Sequence, residues 1–83
     1  MKHIKIYNQT LEEIIERAEN SVENKKIEEG IEIYHSALNY TTTNFGLMNE
    51  RLGFLNKKLG ELYFRIGDID TCTMFMSCAL KIF

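Results

Sequence analysis

From Phe45 to Gly67 the chain keeps a seven-residue rhythm, FGLMNER, LGFLNKK, LGELYFR, IGD. Apolar residues fall at Phe45, Met48, Leu52, Leu55, Leu59, Leu62 and Ile66. This unbroken three-four alternation draws one seam along a helix of about five turns. It predicts a long third helix from about Leu47 to Ile66, roughly 30 Å in length. Glycines recur beside the seam at positions 46, 53, 60 and 67. A glycine inside a helix costs about 1 kcal/mol relative to alanine. Gly53 and Gly60, in mid-helix, are therefore expected where another backbone comes close.

The same periodicity places three more helices. Thr10-Leu-Glu-Glu13 has the form of a capping box. It is expected to open a first helix whose buried stripe is Leu11, Ile14, Ile15, Ala18 and Val22. Residues 1–9 are then an N-terminal tail, with His3 to Tyr7 its one strand-like stretch, and residues 10–83 form a single helical domain. Asn24-Lys25-Lys26 is a plausible break. A second helix follows with Ile27, Ile31, Tyr34, Ala37 and Leu38 on its inner face. Thr41-Thr42-Thr43-Asn44, β-branched and polar, reads as a loop. Gly67 supplies a turn, and Asp68 is a good N-cap for the last helix. The expected class is all-α, with about four antiparallel helices in two hairpins.

The last helix is unusually apolar. Asp70, Thr73, Ser77 and Lys81 fall within an arc of about 80° on a helical wheel. Apart from Thr71, the remainder is Ile, Cys, Met, Phe, Ala and Leu. A surface helix ordinarily buries a stripe a little over 100° wide, and this one is apolar over about twice that. Cys72, Phe75, Met76 and Ala79 occupy the middle of the arc and are expected to face the chain's own core. Met74 and Cys78 lie at one margin and Leu80 at the other. With Ile82 and Phe83 they form the candidate interface with another chain.

Length and charge narrow the field. Eighty-three residues make one small domain, a size that is marginally stable alone. The 12 acidic and 10 basic residues give a net charge of −2, which argues against nucleic acid as a partner. Acids crowd between Glu12 and Glu32, expected as a solvated face, with an acidic docking surface as the sharper alternative. No apolar run approaches the roughly 20 residues of a membrane span, and the first residues lack the apolar core of a signal peptide. The expected location is the cytoplasm. Cys72 and Cys78 stand six apart on one helix, point to different sides, and are read as buried reduced thiols.

At the third and fourth helices a known pattern emerges. Leu59-Gly60-x-x-Tyr63-x-x-x-Gly67-Asp68, followed by Cys72, Met76 and Ala79, resembles a tetratricopeptide repeat. Gly30, Tyr34, Ala37 and Leu38 are similar to the second helix of an earlier copy, and Ala18 stands where its first helix takes a small residue. The resemblance implies that small residues let the two helices of each repeat close up. Gly53, Gly60, Gly67, Tyr34, Ala37 and Ala79 are the helix-packing positions expected on these grounds. The copies are offset by 42 residues, longer than the family's usual spacing. Neither carries the usual closing proline, and Arg17 and Ser21 replace the Leu and Tyr of the first copy. A generic helical bundle is the alternative.

Chemistry is sparse. His3 and His35 are the only histidines, and no Cys–His or Ser–His spacing suggests a nucleophile with its base. The glycines form neither a GxGxxG loop nor a P-loop. No catalytic residue, cofactor or metal ligand is expected. Lys57, Lys58, Arg51 and Arg65 give the third helix a mildly basic side, expected to be solvated. The functional expectation is a non-enzymatic protein–protein interaction module: an adaptor, chaperone or inhibitor that self-associates as a homodimer or higher oligomer and engages an unidentified protein. Richness in Asn, Ile and Lys points to an AT-rich bacterial or phage genome, where such a regulator would sequester one protein. The alternatives are a nucleic-acid-binding helical regulator and a structural subunit of a larger assembly.

Overall fold

The computed structural model describes the backbone of residues 2–46 and 49–82 and the side chains of residues 10–46 and 49–81. The chain is all-α. The described residues form four helices, α1 (Lys2–Glu23), α2 (Ile27–Phe45), α3 (Glu50–Arg65) and α4 (Ile69–Ile82). Each packs on the next in chain order, α1 on α2, α2 on α3 and α3 on α4, in a slab of 42 × 30 × 15 Å. Leu55 and Leu59 are wholly buried at its centre. Around them lie Leu11, Ala18, Ile31, Tyr34, Ala37, Leu62 and Phe75.

The two hairpin turns are built alike. After α1, Lys25 N–H donates to the Val22 carbonyl and Lys26 N–H to that of Ser21. After α3, Gly67 N–H donates to Phe64 and Asp68 N–H to Tyr63. Both are the paired closure that satisfies the last carbonyls of a helix through a left-handed residue. Gly67 supplies that residue at φ +87° and Lys25 at φ +64°. Every position in one turn has its counterpart 42 residues on in the other. Asp68 then caps α4, its carboxylate accepting from the Thr71 N–H and hydroxyl.

Three boundaries differ from the sequence expectation. Helix α1 begins at Lys2, so the expected tail is helical backbone and Thr10 lies inside the helix. Ile4, Tyr7, Leu11 and Ile14 keep helical spacing through this stretch, and no Gly or Pro interrupts it. Helix α2 runs through the threonine stretch to Phe45. Thr41 is fully buried there and its hydroxyl donates to the Ala37 carbonyl at 2.8 Å, so packing overrides a weak local preference. Gly46, at φ +88°, ends α2. Helix α3, expected to be long, therefore spans 16 residues. Its N-cap is Asn49, whose side chain accepts from the Arg51 N–H at 2.8 Å.

The seven-residue rhythm thus crosses a helix end. Phe45 belongs to α2, while Leu52 to Leu62 belong to α3. Met48, read as part of the seam, lies outside the described residues. The glycines divide accordingly: Gly53 and Gly60 are buried within α3, whereas Gly46 and Gly67 are exposed where helices end. Gly67 packs against nothing, since a Cβ there would meet no atom within 4 Å. Its expected helix-packing role is replaced by the turn.

Candidate functional site: the outer edge of helix four

Helix α4 buries Phe75 and Ala79 against α3 and half-buries Cys72 and Met76. The opposite side is the solvent-facing polar arc of Asp70, Thr73, Ser77 and Lys81, and large apolar residues stand exposed at its margins. Ile69 is 52% exposed, Met74 56% and Leu80 77%. Fully burying a side chain of this kind gains roughly 1.5–3 kcal/mol, so three large apolar residues left on 14 helical residues is an unusual arrangement. Cys78 is exposed rather than buried, and Cys72 half-buried; both are free thiols. Ile82 and Phe83, the remaining candidate interface residues, have side chains outside the described residues.

The exposed apolar residues form two margins. Ile69 and Leu80 project in nearly the same direction, with Thr73 and Met76 beside them, at the four-three-four spacing of a helix seam. Met74 and Cys78 lie roughly 140° around the helix. Two further exposed apolar residues, Phe64 and Ile66, stand at the end of α3.

Tyr34, Ala37 and Ala79 are buried. A Cβ on Gly60 would stand 3.0 Å from Met76 Cγ, where α3 meets α4. Gly30 marks the tighter crossing of α1 and α2, since a Cβ there would stand 2.7 Å from Val22 Cγ2 and 3.5 Å from the Ala18 carbonyl oxygen.

One aromatic cluster joins three helices. His35 of α2 shares a 2.9 Å hydrogen bond with the Tyr63 hydroxyl of α3. Its ring meets Phe75 of α4 edge-on at 5.6 Å. Tyr63 and Phe75 stack with centroids 5.5 Å apart and planes 5° from parallel. His35 is thus a clasp between the hairpins. Its partners lie 28 and 40 residues away, and local periodicity carries no information about such distant neighbours.

Between α1 and α3 runs an open groove of about 310 Å³ lined by Glu19, Val22, Glu23, Tyr34, Lys58, Glu61, Leu62 and Arg65. Lys58 pairs with Glu61 at 3.8 Å within α3 and lies 5.6 Å from the Phe54 ring centroid. Arg51 caps the Phe45 ring at 4.7 Å. At the floor, burial pushes Tyr34 up to about 12, with the carboxylates of Glu19 and Glu61 adding to the effect. Among the described residues no group of three or more His, Cys, Asp or Glu could hold a metal ion. No described helix is long and apolar enough to cross a membrane. Comparison with protein families, characterised proteins and solved structures finds no match to this chain.

Proposed function

We propose that this chain is a small non-enzymatic interaction module that works through the apolar outer face of α4. In this reading it is an adaptor, chaperone or inhibitor, and it self-associates. What supports the reading is the exposure of Ile69, Met74 and Leu80 on a helix whose other side is already packed. Covering such side chains gains about 1.5–3 kcal/mol each, and that gain is what a partner would supply. The likeness to paired tetratricopeptide-type hairpins fits the same role, because stacked helical repeats act by presenting surfaces to partners.

The test is circular dichroism beside light scattering on the Met74→Gln, Leu80→Gln variant. The proposal expects wild-type helicity and a fall in mass to the single chain. Unchanged mass, or complete unfolding, would show these side chains to be free surface or plain core.

A further inference from the structure

The exposed α4 face raises the question of which margin is used, and by what. This inference rests on the interaction-module reading and concerns self-association. The answer comes from the first hairpin, because α2 is the counterpart of α4 at the offset of the two turns. Ile27, Ile31, Tyr34 and Leu38 of α2 correspond to Ile69, Thr73, Met76 and Leu80 of α4. On α2 this edge is covered. Ile31 and Tyr34 are buried, and Ile27 and Leu38 pack against the core. The cover is α3, lying antiparallel: Ile66 shares a cleft with Ile27, Tyr63 bonds to His35, and Arg51 caps Phe45. On α4 no described helix lies over the same edge. The Met74–Cys78 margin differs, since its counterparts on α2 are Glu32 and Ser36, both exposed. The fold therefore marks the Ile69–Leu80 edge, and not the Met74 margin, as the place for another helix.

The occupant follows from the other end of the molecule. A head-to-tail array would need α1 of the next copy to cover α4 as α3 covers α2. The α3 residues to compare are its buried leucines, Leu52, Leu55, Leu59 and Leu62, and the two that reach α2, Tyr63 and Ile66. Their α1 counterparts are Thr10, Glu13, Arg17, Asn20, Ser21 and Asn24, with Glu13, Arg17, Asn20 and Asn24 exposed. Every one is polar. Covering Leu80 with them would desolvate charges without pairing them. Among the described residues the α1 end is polar and the α4 end apolar, so self-association joins like to like about a two-fold axis.

Charge fixes the direction. Asp70 and Lys81 flank the same side of the seam at opposite ends of α4. A parallel two-fold pair would put the two copies' Asp70 and Lys81 on opposite sides of the seam, where they form no pair. An antiparallel pair sets each Asp70 near the partner copy's Lys81, and sets Ile69 against Leu80.

The geometry points to an antiparallel α4–α4 pairing of two copies along Ile69, Thr73, Met76 and Leu80. The test uses the full chain with Cys72→Ala and Cys78→Ser. One preparation carries Ile69→Cys, a second Leu80→Cys, and the two are mixed and oxidised. The proposal expects cross-linked dimer between the two variants, at least several-fold more than either gives alone. Self-cross-linking of Ile69→Cys at an equal level would overturn the antiparallel arrangement. A second measurement, sedimentation equilibrium, compares Leu80→Glu with Met74→Glu in the native background. The expected result is a monomer for the first and a dimer for the second. The reverse would leave self-association standing and remove this edge as its site. A wild-type chain that stays monomeric at 100-micromolar concentrations, order of magnitude, would overturn the pairing itself, while capture of a heterologous protein through α4 would still uphold the interaction-module reading.

Discussion

Gly60 and Met76 meet where α3 crosses α4, with 3.0 Å between Met76 Cγ and the place a Cβ would take on Gly60. The neighbour is a flexible, half-buried thioether chain rather than backbone. It can yield by a few tenths of an ångström. Gly60→Ala should therefore keep most of the roughly 1 kcal/mol that alanine gains over glycine in a helix, and melt at or slightly above wild type. Gly60→Leu should overpack and cost about 1–3 kcal/mol. Thermal unfolding by circular dichroism checks both; a Leu variant as stable as wild type would refute close α3–α4 packing there.

Gly30 should respond in the opposite sense to the same substitution. Its neighbour is Val22 Cγ2 at 2.7 Å, on a β-branched side chain with few rotamers to retreat to. Gly30→Ala should destabilise by about 1–2 kcal/mol net of the propensity gain. Val22→Ala in the same chain should recover part of that loss. Denaturant titration of the two single variants and the double variant measures the coupling, and additive effects would contradict the contact.

Tyr63→Phe isolates the clasp between the hairpins. It deletes the hydroxyl that bonds His35 at 2.9 Å and leaves the Phe75 stack in place. The expected loss is about 0.5–1.5 kcal/mol, read as a lower denaturant midpoint with unchanged helicity. His35→Ala should cost more, since it also removes the edge contact with Phe75.

Tyr34 predicts an alkaline weakness. Its hydroxyl is held protonated to about 12 by burial, with Glu19 and Glu61 contributing, against about 10 in an unfolded chain. Its contribution is thus fully present below pH 10 and is lost as pH rises from 10 to 12, on the order of 2 kcal/mol in all. Lysines titrate in the same window, so the comparison is with Tyr34→Phe. That variant should lose less stability between pH 9 and 12 than wild type; equal losses would place the alkaline transition elsewhere.

Much of this architecture is legible in the residues, for identifiable reasons. The α3–α4 turn announces itself through Gly67 and Asp68, because a left-handed residue and an N-cap each demand particular side chains. The division of α4 into a packed and an exposed side follows from its periodicity, and Phe75 and Leu80 fall on the sides expected. The helix boundaries near Thr41 were not legible. A threonine's weak helix preference is overturned when the side chain is wholly buried and bonded to Ala37. The apolar spacing runs unbroken from Phe45 to Leu52 and hides the helix end between them, which is marked instead by Gly46 at positive φ and the N-cap Asn49. The contact of His35 with Phe75 depends on where α2, α3 and α4 meet, which no local pattern encodes. The choice between the Leu80 and Met74 edges required seeing that α3 covers the matching edge of α2.

The most direct test of the central claim, that the outer edge of α4 joins two copies of the chain, is the mass of the wild-type chain by sedimentation equilibrium from low to high micromolar concentration. The account predicts a reversible rise to about twice the 9.7 kDa chain mass, abolished by Leu80→Glu with helicity retained. A single-chain mass throughout, without binding of an apolar dye, would contradict it.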